Sequence, residues 1–171
     1  MSVRDRDREF GEYFDARAAV LRRTAYLLCG DWHRAEDLVQ SALVKLYVAW
    51  PRLRSDGAID AYARQILVRT VIDDSRRRFR RSETPVESPP EVALEQLAGA
   101  EDALDVRRAL AALPPRQRAT VVLRYWEDLS VEETAALLGC SEGTVKSQAA
   151  KGLAALRRLL AASRPALEEL P

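Results

Sequence analysis

Apolar residues recur three and four positions apart through long, glycine-poor stretches of the chain, the spacing that turns one side of an α-helix toward a core. Over residues 33–50, "HRAEDLVQSALVKLYVAW", it places Ala35, Leu38, Val39, Ala42, Leu46, Ala49 and Trp50 on one stripe, and Pro51 stands where the helix should stop. A further helix is predicted over 58–80, with Ile59, Tyr62, Ile66, Arg69 and Asp73 spaced along it and Ile66, Leu67, Val71 and Ile72 as apolar surface. It runs out in "RRRFRR", Arg76 to Arg81. The second half gives "EDALDVRRALAAL" before Pro114 and Pro115, then "RQRATVVLRYWED", "SVEETAALLG" and a long helix from Ser141 to about Ala162.

Between the last two segments the local chemistry specifies a turn. Ser130 and Glu133 form an S-x-x-E capping box, in which each side chain satisfies the other residue's free amide. Gly139 suits a left-handed C-terminal cap, and Ser141 suits the N-cap of the next helix. Helix, three-residue turn, helix is the spacing of the helix-turn-helix motif. The predicted fold class is all-α, with two small helical domains.

Residues 82–100, "SETPVESPPEVALEQLAGA", separate the two halves with three prolines, four glutamates and no lysine or arginine. That composition predicts an extended acidic linker between domains at 1–81 and 101–171. Dividing the charge along the chain changes the picture that a total of +1 gives. The first 81 residues carry 17 basic and 12 acidic side chains, net +5, the linker is at −4, and the rest balances to zero.

A hydrophobic content of 47% is that of an ordered globular protein. No apolar run approaches the roughly 18 residues of a membrane span, and the charged start "MSVRDRDREFGEYF" is unlike a signal peptide. A cytoplasmic protein without membrane insertion is expected. Cys29 and Cys140 lie far apart without a CxxC pattern and His33 is the sole histidine, which argues for two buried thiols and a solvent-facing imidazole rather than a metal site. With no Ser/His/Asp set, GxGxxG or P-loop either, no catalytic residue, metal or cofactor is expected, and the protein is not expected to be an enzyme.

Three surfaces carry candidate chemistry. In the last helix Val145, Ala149, Leu153, Leu156 and Leu160 point inward, leaving Thr144, Ser147, Gln148 and Lys151 outward, with Lys146 near the edge. Hydroxyl, amide and ammonium groups donate to base edges or phosphates, and the small Ala150 allows close approach or a thymine-methyl contact. Only two of these side chains are basic, few for a helix that must hold DNA by itself. The cluster Arg76, Arg77, Arg78, Arg80 and Arg81 attracts a polyanion, or alternatively is a solvated helix end favoured by the helix dipole. Opposite the core stripe of 33–50 stand Asp37, Gln40, Ser41, Val44, Lys45 and Val48, where the two valines turned toward water suggest a protein-binding face or are scattered surface apolars.

"AEDLVQSALVKLYVAW" (Ala35–Trp50), "AYARQILVRTVIDDSRRRFRR" (Ala61–Arg81) and "LPPRQRATVVLRYWEDLSVEETAALLGCSEGTVKSQAAKGLAALRRLL" (Leu113–Leu160) resemble, in order, regions 2.2, 2.3 to 2.4 and 4 of the extracytoplasmic-function, or group 4, RNA polymerase sigma factors. "GCSEGTVKSQAAKGLA" is most similar to the actinobacterial SigE-like subgroup. The resemblance implies partnership with core RNA polymerase through its β′ clamp helices and β flap, and with promoter DNA. The first domain would take the clamp helices and the melted minus-ten element, the second the duplex minus-thirty-five element.

By position, Asp37, Gln40 and Ser41 fall on the family's D-x-x-Q-E clamp motif, with Ser41 in place of the acidic residue, and Val44 joins that face. Tyr62 stands where the family commonly has tryptophan, and Asp73 matches the aspartate before the arginine run. Promoter melting requires capture of a flipped base and a grip on the single strand. The resemblance puts capture at Arg54–Ile59, backed by Tyr62, Arg64, Gln65, Val68 and Arg69, with Arg76, Arg77 and Arg80 adding charge. In region 4 it puts DNA contacts at Lys146, Ser147, Ala150 and Lys151, overlapping the face that periodicity assigns to Thr144 and Gln148, where many relatives have arginine in place of Gln148.

The acidic linker, up to roughly 60 Å if extended, suits the family's threading of a basic channel, or is a plain tether. Control by an anti-sigma factor covering these faces is expected on the same resemblance. With the chain ending at Pro171, no C-terminal sensory domain is expected. An autonomous helix-turn-helix regulator is the competing reading, and it lacks an evident dimerisation element and net positive charge in its DNA-binding half. A helical adaptor without DNA contact would leave the arginine run and the capped helix unexplained.

Overall fold

The computed structural model describes residues 1–53, 56–81 and 100–163. The chain divides into two compact units, Met1–Ser88 and Pro89–Pro171. Every regular element among the described residues is helical, as the periodicity requires. The expected linker lies outside the described residues except for Ala100, which opens a helix, and so do Arg54 and Ser55 of the expected base-capture loop.

The N-terminal unit is a three-helix bundle of α1 (Val3–Cys29), α2 (Trp32–Ala49) and α3 (Asp56–Arg81), each packed on the other two. Helix α1 is the element that the sequence reading leaves out. It starts at a capping box in which Ser2 Oγ accepts from the Asp5 amide and the Asp5 carboxylate accepts from Ser2, bonds that hold the Asp5 pKa below its ordinary value. It ends at Gly30, whose φ of 76° only glycine adopts readily. Asp31 immediately caps α2 by accepting from the Arg34 amide at 3.0 Å, so the chain reverses within two residues.

The predicted α2 stripe is the core-facing one, with Leu43 added to it and Ala49 only half-buried. Pro51 sits in a 3₁₀ turn, Trp50–Arg52, that ends the helix. The buried Trp50 ring meets Phe10 and Tyr13 of α1 at 5.4 Å. Tyr13 also donates to Asp60 of α3 at 3.1 Å, and burial together with that carboxylate pushes its pKa up to about 12. Because α3 is covered by both α1 and α2, its apolar arc is wide: Ile59, Ala63, Ile66, Leu67, Val68 and Val71 are all buried. Val68, expected to back the DNA site, is 0% exposed. That expectation is corrected, because the side chain belongs to the bundle core.

The C-terminal unit holds α4 (Ala100–Ala112), α5 (Pro115–Val121), α6 (Val131–Leu138) and α7 (Glu142–Ser163), with α7 packed on the other three. The Arg118 guanidinium donates to the Leu110, Ala111 and Leu113 carbonyls at 2.8–3.0 Å, satisfying the end of α4. Helix α5 widens into a π-type turn at Val122–Trp126, which turns the Tyr125 and Trp126 rings outward. Val145 and Ala149 of α7 are buried as predicted, while Leu153, Leu156 and Leu160 are half-buried.

Gly152 is buried where α7 crosses α5, and a Cβ there would lie 2.6 Å from Val121 Cγ2. Cys29 is buried, and desolvation pushes its thiol pKa up. Cys140 is only half-buried, correcting the expectation of two buried thiols, because it lies in the turn after Gly139. Gly152→Val should lower the stability of the C-terminal unit by about 2 kcal/mol in urea unfolding. Gly143→Ala, where the Cβ meets only Ser141 Oγ at 3.8 Å, should leave stability equal or higher. Equal stability for both variants would contradict the close α5–α7 contact.

Candidate nucleic-acid and polymerase interfaces

The turn between α6 and α7 is built as its residues require. Ser130 Oγ accepts from the Glu133 amide at 3.0 Å while Glu133 accepts from the Ser130 amide at 2.7 Å. Gly139 closes α6 at φ 64°, and Ser141 Oγ accepts from the Thr144 amide at 3.1 Å to open α7. The Thr144 hydroxyl lies 2.9 Å from Ser141 Oγ, so it is already engaged in the cap. Lys146, Ser147, Ala150 and Lys151 are exposed, whereas Thr144 and Gln148 are half-buried beside them. The six expected residues therefore spread over the part of α7 that the core leaves uncovered, four of them exposed. Free amides at the start of α7 add donors suited to a phosphate.

On α3, Tyr62, Arg69, Arg76, Arg77 and Arg80 are exposed, Arg64 and Gln65 half-buried, and Val68 is withdrawn as described. The arginine run is not uniform. Asp74, just before it, accepts from Arg34 of α2 at 2.5 Å and lies 3.7 Å from Arg78. Arg78 is thereby turned toward α2 and half-buried, while Arg76, Arg77, Arg80 and Arg81 remain in solvent.

On α2, Asp37, Gln40, Ser41 and Val44 are all exposed, and with Val48 they form one outward face. Lys45 donates to Thr70 of α3 at 3.2 Å and so is tied across the helix pair. A groove of about 530 Å³ runs between α2 and α3, lined on one side by Asp37 and Ser41 and on the other by Thr70, Asp74 and Arg77. His33 is exposed, as expected. Three exposed aromatic rings went unassigned in the sequence, Phe79, Tyr125 and Trp126. Phe79 was detectable as an aromatic interrupting an arginine run; the outward turn of Tyr125 and Trp126 depends on the π-type turn, which the apolar pattern does not encode.

Two family models match the chain, sigma-70 region 2 over residues 14–81 and sigma-70 region 4 over residues 103–156. The RNA polymerase sigma-E factor of Streptomyces coelicolor is 42% identical over 158 residues, covering 90% of this chain and 87% of that one. The ECF RNA polymerase sigma factor SigM of Mycobacterium tuberculosis is 35% identical over 151 residues, covering 88% and 76%. Among solved structures, the sigma factor RpoE of Bartonella quintana, in complex with the anti-sigma factor NepR, superposes with a TM-score of 0.71 at 27% identity, covering 91% of this chain and 99% of that one.

A helical region 2 unit followed by a helix-turn-helix region 4 unit defines a sigma-70-type transcription initiation factor. The chain belongs to the extracytoplasmic-function RNA polymerase sigma factors, and within them to the actinobacterial SigE-like type. No described helix is long and apolar enough to cross a membrane.

Asp74→Ala leaves the Arg34 side chain, 10% exposed, without its carboxylate. A loss of about 2 kcal/mol in urea unfolding is expected. An unchanged midpoint would show that the α2–α3 tie does not hold the pair.

Proposed function

We propose that the chain directs core RNA polymerase to its promoters by dividing the work among the three faces. Asp37, Gln40, Ser41 and Val44 on α2 take the β′ clamp helices. Tyr62, Arg64, Gln65, Arg69, Arg76, Arg77 and Arg80 on α3 take the minus-ten element as it melts. Thr144, Lys146, Ser147, Gln148, Ala150 and Lys151 on α7 read the minus-thirty-five duplex, and the C-terminal unit also meets the β flap. The observation that carries this reading is that the region 4 match at 103–156 spans a fully capped α6–α7 turn followed by the exposed Lys146, Ser147, Ala150 and Lys151.

The mechanism follows from binding differences. A single strand offers base faces and a flexible backbone that a duplex hides, so a surface of rings and guanidinium groups binds it better and draws the equilibrium toward the open form. Melting therefore needs no covalent chemistry from this chain, and we assign it no enzymatic activity, no metal and no cofactor. Lys146 and Lys151 neutralise few phosphates, so α7 contributes register and sequence preference more than affinity. A site of action in the cytoplasm, where the polymerase works, accords with this function.

Regulation by an anti-sigma factor that covers the same faces is part of the proposal. Its support is the Bartonella quintana sigma factor, which shares this architecture and is seen bound to such a partner.

Run-off transcription with core polymerase on a genomic library tests the function and yields the promoter motif. The wild-type chain should give discrete start sites; Lys151→Ala should weaken those depending on the minus-thirty-five element. Asp37→Arg with Gln40→Ala should abolish polymerase pull-down at unchanged helix content. Pull-down unaffected by that pair would place the polymerase interface elsewhere.

A further inference from the structure

Phe79 is the most exposed large apolar side chain among the described residues, 88% accessible, and it stands inside the arginine run with Arg76, Arg77 and Arg78 before it and Arg80 and Arg81 after it. Keeping a phenyl ring in water forgoes roughly 2 kcal/mol of burial free energy, and neither the fold nor the three faces described above uses it. At 100° per residue, Tyr62, Gln65, Arg69, Arg76, Phe79 and Arg80 fall within about a third of the circumference of α3. The stripe thus has an aromatic ring near each end, about 26 Å apart along the axis, with a carboxamide, guanidinium groups and the half-buried Ile72 between them and the exposed Asp73 at its margin. Asp74 reinforces the division by drawing Arg78 to the opposite side, toward α2.

We infer that Phe79 is a second base-stacking platform, taking an unpaired base of single-stranded DNA while Arg76 and Arg80 hold the flanking phosphates. This extends the proposed minus-ten face and rests on that reading of α3. Charge selects the class of partner, since a ring set among exposed guanidinium groups is suited to a polyanion. The ring then selects the strand state. Inside a duplex the base faces are stacked on one another, and inserting a ring between them costs a few kcal/mol per step. An unpaired base offers its face without that cost, and stacking tolerates any base because each has a π-face. Arginine at the flanking positions adds cation–π contact with the bound base. The arrangement gives the opened strand a hold at the far end of α3 from Tyr62, so that strand separation along the helix is favoured at two points.

The test measures the full chain assembled with core polymerase against a fluorescein-labelled oligo(dT) strand and a mixed-sequence duplex of equal length, with core polymerase alone as the baseline. Phe79→Ala should weaken single-strand binding by roughly tenfold, leave duplex binding within twofold, and keep the salt dependence unchanged. Phe79→Trp should restore the affinity and show quenching of its fluorescence on binding. Because the ring is exposed, both variants should unfold at the wild-type urea concentration. Wild-type single-strand affinity in Phe79→Ala, with affinity lost in Tyr62→Ala and Arg69→Ala, overturns the inference and leaves the α3 reading standing. No loss in any of the three overturns both. Equal losses on single strand and duplex, without rescue by tryptophan, also overturn the stacking role.

Discussion

The functional surface of the N-terminal unit depends on the ion pair between Arg34 at the start of α2 and Asp74 near the end of α3. Its arginine side chain is nearly buried, so the attraction works at a lower effective dielectric than a surface pair would. The same aspartate faces Arg78, and Arg34 also reaches Ser75 Oγ at 3.5 Å. One carboxylate therefore fixes two things. It sets α3 against α2, which positions the polymerase-facing residues of one helix relative to the DNA-facing residues of the other. It also sorts the arginine run, holding the half-buried Arg78 beside Asp74 and leaving Arg76, Arg77 and Arg80 exposed for an external polyanion.

In the C-terminal unit the corresponding constraint is steric. Gly152 lets α7 approach α5 to a distance that a single methyl group would prevent. Together with the caps at Ser130, Gly139 and Ser141, this orients α7 so that Lys146, Ser147, Ala150 and Lys151 face outward. Rigid presentation matters more here than charge. A DNA-facing stretch with two lysines gains little non-specific affinity, but a fixed set of short donors discriminates among sequences once another body has delivered the DNA. For a sigma factor that body is the polymerase.

Much of this was legible in the chain because the informative signals were local. The α6–α7 turn could be predicted from Ser130, Glu133, Gly139 and Ser141, since capping is decided within four residues. The α2 stripe could be predicted from spacing alone. Helix α1 was overlooked because its first half is dominated by charge, although Ser2 and Asp5 already formed a cap and Phe10, Tyr13, Ala18, Leu21, Ala25 and Leu28 kept helical spacing. Val68 is assigned to the DNA site by the resemblance alone, and in the fold it is sealed inside the bundle core. The close approach at Gly152 and the π-type turn at Val122–Trp126 depend on tertiary packing, which no periodicity reports.

On this reading sequence-specific DNA binding belongs to the complex rather than to this chain, because only Lys146 and Lys151 among the six residues of α7 assigned to DNA are basic. Fluorescence anisotropy on a promoter fragment and a scrambled control, with and without core polymerase at physiological salt, tests it most directly. The prediction is weak, equal binding of both fragments by the free protein and strong preference for the promoter once core polymerase is added. Tight, sequence-selective binding by the free protein would contradict it.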